Sequence, residues 1–140
     1  MVVVGHTWPV RARTPVDGDA DAGLVADLRR AVGVDAVHAH ALDRALYARD
    51  ASTIDVGVAA AVCFPTDTAG VAACVLAARR HGRPFVARGS GTGLAGGAVP
   101  LDGAVVISTT RMNAIRSVDV DQRVAWVEPG VINLDLTRAL

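Results

Sequence analysis

Residues 87–99 read ARGSGTGLAGGAV, with glycine at positions 89, 91, 93, 96 and 97. Glycine costs conformational entropy wherever it is used, so a stretch this rich in it must either turn where a Cβ is excluded or let something come close to the backbone. Gly91, Gly93 and Gly96 satisfy the GxGxxG spacing of a dinucleotide-binding turn and follow a strand-like PFVA. That motif, however, opens a helix at its second half and is followed about twenty residues on by an acidic residue ending a second strand. Here Gly97, Pro100 and Gly103 come next, then the strand-like GAVVIS, so the spacing is present without its context. The stretch therefore reads as a long loop between two buried strands.

Such a loop can present successive N–H groups to an anion without help from a helix or a lysine. Arg88 stands at its start as a cation, and Ser90 and Thr92 alternate with glycines and can add hydroxyl donors. A diphosphate suits this arrangement; a wide loop with no ligand fits the glycine content equally well.

Outward from the loop, AAAVCF at 59–64 is a continuous apolar run ended by Pro65, the mark of a buried strand. Thr66 and Asp67 can then cap a helix whose apolar stripe is Val71, Cys74, Val75 and Ala78, with Arg79, Arg80 and His81 in its last turn and Gly82 and Pro84 beyond. After GAVVIS, the strands AIRSVDV and RVAWVEP flank Asp121 and Gln122 as a hairpin, with Val118 and Val120 set against Val124 and Trp126, and a helix begins near Asn133. Before this block, residues 1–20 read as an irregular leader; Leu24, Leu28, Ala31 and Val32 form one helical stripe, and Ala41 to Arg49 a weaker second one. His38 and His40 make an HxH pair without a Cys or Glu to complete a metal set, and read as a solvated turn.

The 140 residues, 51% hydrophobic and 20% charged, suit one globular domain, and the formal charge of zero gives no reason to expect nucleic acid or an anionic membrane. All 14 cations are arginine, which removes lysine-dependent chemistry: the P-loop, the Schiff base and the kinase ion pair. Cys63 and Cys74 lack metal or redox spacing and read as buried thiols. No segment reaches the ~20 apolar residues of a membrane span, and the expected location is the cytoplasm.

In this order, FPTDTAGVAACVLAARR, RGSGTGLAGGAV, RMN after a strand and VEPGV before a helix, the chain resembles the FAD-binding domain of flavoproteins related to vanillyl-alcohol oxidase and p-cresol methylhydroxylase (PCMH-type). Within them it is most similar to FAD-linked oxidases such as the glycolate oxidase flavin subunit and D-lactate dehydrogenases. The resemblance implies an α+β fold with a PCMH-type domain over 57–140, expected to hold the first subdomain and the start of the second and to be incomplete at its C-terminus; the leader and two short helices of residues 1–56 precede it. It implies FAD on the amides of Gly89, Ser90, Gly91, Thr92 and Gly93, with Arg88 beside the diphosphate. Gly97, Met112 and Asn113 would line the flavin side, Pro129 and Gly130 would approach the dinucleotide from the second subdomain, and Pro65 would lie near the adenine. Family members that bond flavin covalently through this loop carry a histidine where alignment places Thr92, so the FAD expected here is noncovalent.

The family reaction passes a hydride from a hydroxyl-bearing carbon to flavin N5 while a base takes the hydroxyl proton. No histidine or carboxylate of this chain aligns with that base, so no catalytic residue is assigned, and a 2-hydroxy acid is expected as substrate only with further sequence or another chain. A non-catalytic nucleotide-binding module and an inactive remnant remain the alternative readings.

Overall fold

A computed structural model describes residues 22–52 and 55–140. The leader expected over residues 1–20 lies outside the described residues. Helix α1 (Ala22–Val32) buries Leu24 and Leu28, one turn apart on one face, and carries Arg29 and Arg30 in its last turn, where the helix dipole favours cations. A single 3-10 turn (Val34–Ala36) leads into a two-residue strand, β1 (Val37–His38). His38 is thus in a strand, its ring 4.8 Å from that of Phe64, rather than in a solvated turn. His40 instead caps α2 (Ala41–Ala45), with Nδ1 accepting from Leu42 N. Helix α2 stops short of the Arg49 expected from the pattern, because Leu42 and Leu46 find no apolar wall and stay exposed.

Strands β2 (Ala59–Cys63), β3 (Phe85–Arg88) and β4 (Ala104–Ser108) form a parallel sheet with β4 in the middle, and β1 joins antiparallel at the β2 edge, giving the order β1-β2-β4-β3. Every residue of β2 and β4 is buried, as parallel strands covered on both faces require. On one face Ala61, Cys63, Val105 and Ile107 pack against Leu24 and Leu28 of α1 and against Cys74, Ala77 and Ala78 of α3 (Thr68–Arg80). On the other, Ala59, Val62, Phe64 and Val106 pack with Tyr47 and Val86.

Helix α3 starts and stops where its sequence signals stand: the Asp67 carboxylate accepts from Gly70 N at 2.7 Å, and Gly82 N closes the last turn on Arg79 O. The thiols of Cys63 and Cys74 meet in this core as free cysteines; the neighbouring thiol and burial push Cys63 far above the ordinary thiol range.

Because α1 shares the core of α3 and the sheet, Leu28→Ala should lower global stability by about 2–5 kcal/mol, the usual cost of emptying a sealed leucine site. A thermal melt reads it, and a change below about 0.5 kcal/mol would mean that α1 is an appendage.

Strands β5 (Ile115–Asp119) and β6 (Val124–Val127) make a separate antiparallel pair, followed by α4 (Asn133–Ala139). The expected hairpin about Asp121 and Gln122 forms, but Val118 and Val120 do not face Val124 and Trp126: Val118 faces Ala125, Asp119 faces Val124, and Ser117 faces Trp126. The loop is Val120–Arg123, centred on Asp121 and Gln122 and closed by Arg123 N donating to Val120 O. It is fixed by the Asp119 carboxylate accepting from Gln122 N and by Arg123 in the left-handed region, at φ 55°.

Candidate cofactor site

No helix forms between residues 91 and 102; the chain there runs through turns and bends, which disposes of the dinucleotide-fold reading of GxGxxG. The loop leaves β3 at Arg88, whose backbone is held by Thr109 N donating to Arg88 O. Arg88 does not reach outward toward a ligand. It is 8% exposed, its Nη1 donates to the carbonyls of Arg49 (2.8 Å) and Ala98 (3.2 Å), and its guanidinium lies 5.3 Å from the centre of the Tyr47 ring. It ties the two ends of the loop to the segment that runs on from α2.

That segment forms the loop's floor. Ala51 N donates to Gly91 O at 3.0 Å, and the buried Asp50 carboxylate accepts through Oδ1 from Ser52 N (3.0 Å) and Ser52 Oγ (2.6 Å). The Ser52 hydroxyl, aided by the amides of Ser52, Gly96 and Ala98, holds this carboxyl below the usual carboxylate range against the opposing effect of burial. At the far end, Gly103 N donates to Val58 O and Val58 N to the Asp102 carboxylate, so the two ends of the loop are stitched to Ala51 and Val58.

The glycines divide by what surrounds them. Gly91 sits at φ 76°, and a Cβ there would overlap Nη2 and Cζ of Arg88. Gly96 also needs its positive φ of 75°. Gly89, Gly93 and Gly97 have ordinary φ, and a Cβ on any of them would meet nothing within 4 Å. The fold gives those three no reason to be glycine, whereas a ligand lying directly on the backbone does.

Ser90, Asn113 and Gly130 come together in one cleft of about 110 Å³, with Thr110, Val131, Ile132 and Asp135 completing its walls. Thr110 is oriented by Ser108, their hydroxyls 3.0 Å apart. A space this small admits part of a nucleotide, and the remainder would have to lie along the exposed glycine loop.

The other sequence-predicted residues fall around this centre. Thr92 is exposed on the loop, and Pro129 is exposed at the turn after β6. Met112 is 6% exposed and turns inward, contributing its carbonyl to Gly130 N at 2.8 Å, so Asn113 alone of that pair lines the cleft. Pro65 is buried at the end of β2 against the first turn of α3, away from the cleft walls. Sequence reasoning missed Thr110 and Asp135, and it missed Tyr47 and Asp50 beneath the loop. The one available signal was Asp50-Ala51-Ser52, an Asx-turn pattern.

The open end of the hairpin, beside this cleft, is closed by Glu128, whose carboxylate accepts from Ala114 N at 2.8 Å and pairs with Arg116 of β5. The Ala114 amide first, and then Arg116, hold the Glu128 carboxyl below its usual range. A depressed folded value means that the contribution is complete above the unfolded value of about 4.3 and is lost as pH falls through the folded one. Hydrogen exchange at β5 and β6 should therefore accelerate, relative to β2 and β4, between about pH 5 and about pH 3. Glu128→Gln should remove that difference.

The architecture defines the class: an α+β, PCMH-type FAD-binding fold. It aligns with 4-ethylphenol oxidase from Gulosibacter chungangensis at TM-score 0.78 and 26% identity, over 91% of this chain and 25% of that one. It aligns with p-cresol methylhydroxylase at TM-score 0.76 and 23% identity, over 89% and 25%.

Residues 59–140 match the FAD binding domain family, and the chain belongs to it. Among curated relatives it is 37% identical over 97 residues to glycolate oxidase subunit GlcD of Bacillus subtilis (strain 168), covering 69% of this chain and 21% of that protein. It is 42% identical over 70 residues to D-lactate dehydrogenase of Archaeoglobus fulgidus, covering 50% and 16%. The chain thus spans about a fifth or less of the length of these relatives. Among the described residues, no helix is long and apolar enough to cross a membrane, and no cluster of three His, Cys, Asp or Glu side chains could hold a metal.

Proposed function

We propose that this chain is the diphosphate-holding part of a cytoplasmic, FAD-dependent oxidoreductase that oxidises a 2-hydroxy acid of the lactate or glycolate type. The observation that carries the cofactor half is the set of outward glycines, Gly89, Gly93 and Gly97, which neither φ nor packing requires. The substrate half rests on likeness to the GlcD subunit and the D-lactate dehydrogenase. The FAD-holding unit runs over 57–140, on a floor supplied by residues 47–52.

The amides of Gly89 to Gly93 donate to the diphosphate, and the Ser90 hydroxyl adds a donor from the cleft wall. Asn113 offers both amide donors and an acceptor on the flavin side, while the Asp135 carboxylate accepts from hydroxyls and repels phosphate. Pro129 and Gly130 close the site from the second subdomain, Met112 supports it through its carbonyl to Gly130 N, and Pro65, outside the cleft, is left to the adenine end. Arg88 acts from below, by fixing the loop. When bound, FAD supplies the hydride acceptor. Thr92 has a hydroxyl where covalent flavoproteins of this type use an imidazole, so attachment is noncovalent.

Titration of FAD into the chain by flavin fluorescence tests the cofactor, and Gly93→Val is the decisive variant. It should leave the melt within about 0.5 kcal/mol of the parent, since its Cβ meets nothing, yet weaken FAD at least about tenfold. Unchanged affinity would remove the loop from the site. Turnover of lactate or glycolate by a version extended to the relatives' length tests the substrate; flavin binding without turnover would favour a nucleotide-binding module.

A further inference from the structure

We propose that Asp50 is a positioning residue for the cofactor, its buried carboxylate holding residues 91–98 of the glycine loop in the curve that accepts a diphosphate. The proposal rests on the FAD reading of the loop and adds to it a residue outside the family-matched stretch of 59–140. Asp50 is 7% exposed, in a segment with little apolar surface of its own, so its burial there is a cost that something must offset. Only Oδ1 has conventional partners, the amide and hydroxyl of Ser52. Oδ2 is buried without a closed hydrogen bond, while the amides of Gly96 and Ala98 lie near enough to favour the charged carboxylate.

The same few residues hold the loop from two further directions. Ala51 N grips Gly91 O, and Arg88, with its own Nε buried and unpartnered, bridges Arg49 O and Ala98 O. Residues 49–51 therefore hold the loop at Gly91 directly and at Ala98 through the Arg88 guanidinium. Arg88 donates to carbonyls, and the Asp50 carboxylate can only accept. This alternation sets which amides of the loop face down and which are left for a ligand above.

Asp50→Asn keeps the size of the side chain but turns an NH2 group toward donors that need an acceptor. In the chain without added FAD, the amides of 91–98 should exchange faster in Asp50→Asn, while those of α3 and β4 stay protected. FAD affinity, read by flavin fluorescence at a temperature where both proteins are folded, should fall at least about tenfold. Ser52→Ala, which removes one donor and leaves the carboxylate, should show the same two changes at about two- to fivefold, and it serves if Asp50→Asn does not fold.

A uniform rise in exchange across the whole molecule would mean that Asp50 is merely structural and would overturn the proposal. So would unchanged exchange at 91–98. The FAD reading fails separately: if the parent chain and Gly93→Val both bind no FAD, the proposed cofactor is wrong, while the exchange result still decides what Asp50 does to the loop. If Gly93→Val loses FAD and Asp50→Asn keeps it, only the positioning role falls.

Discussion

Gly91→Val should abolish flavin retention and lower the stability of the chain, and Arg88 should be the reason. At φ 76° any non-glycine residue costs about 1–2 kcal/mol, and a β-branched one more. The larger conflict is spatial, because the new Cβ would occupy the volume of the Arg88 guanidinium. Either the loop lifts off its floor, breaking the bond from Ala51 N to Gly91 O, or the guanidinium leaves and strands the carbonyls of Arg49 and Ala98. Each stranded buried acceptor costs about 1–3 kcal/mol.

With several kcal/mol demanded of one loop, FAD affinity should drop by at least about a hundredfold, corresponding to about 2.7 kcal/mol. Arg88→Ala should do less, since it leaves the outward amides in place and removes only their support. A double-mutant cycle sharpens the point. Gly91→Ala should cost less in the Arg88→Ala background than in the parent, by about 0.5–3 kcal/mol of coupling, because the clash has gone and only the φ penalty remains. Thermal melts and flavin titration on the four proteins measure it. Additive losses would show that Arg88 does not lie under Gly91.

What could be read from the sequence was whatever is marked locally. Helix α3 carries its cap at Asp67 and its stop at Gly82 within its own neighbourhood, and both function as read. Strands β2 and β4 announce themselves as unbroken apolar runs, since parallel central strands are covered twice. Strand β1, two residues long, is too short to show a period and exists only because β2 is there to pair with it. The hairpin about Asp121 and Gln122 was legible, but its facing pairs were not: Val118 pairs with Ala125, while Val124 and Trp126 pair with Asp119 and Ser117, so the valines expected to meet lie on opposite faces.

The loop itself was legible as an irregular, glycine-rich link between two buried strands, but its floor was not. Ala51 and Arg88 hold Gly91 and Ala98, and no periodicity records a pairing between segments some forty residues apart. A cation at a strand end looked available to a phosphate; only the fold shows its side chain turned inward.

The joint between the two sheets carries the other large effect. Gly130→Ala should release the hairpin from the parallel sheet while leaving that sheet folded. A Cβ at Gly130 would overlap the carbonyl oxygen of Thr109 and stand 2.8 Å from that of Met112. Both are backbone atoms of the turn leaving β4, and neither can swing aside as a side chain would. The bond from Gly130 N to Met112 O would break, and the strain would pass to its neighbours, Glu128 N to Ala114 O and Ala114 N to the Glu128 carboxylate. Overpacking of this kind costs about 1–3 kcal/mol, with about 1 kcal/mol more for each hydrogen bond lost. That exceeds what a two-stranded pair with Val124, Trp126 and Val127 exposed can recover alone. Exchange should therefore rise by at least about thirtyfold at β5 and β6, with protection retained at β2 and β4. The cleft between Ser90, Asn113 and Gly130 would open with it, and FAD affinity should fall although every residue of the glycine loop is intact. Retained hairpin protection would mean that the contact at Gly130 does not hold the two sheets together; lost protection with unchanged FAD affinity would confine the cofactor to the loop.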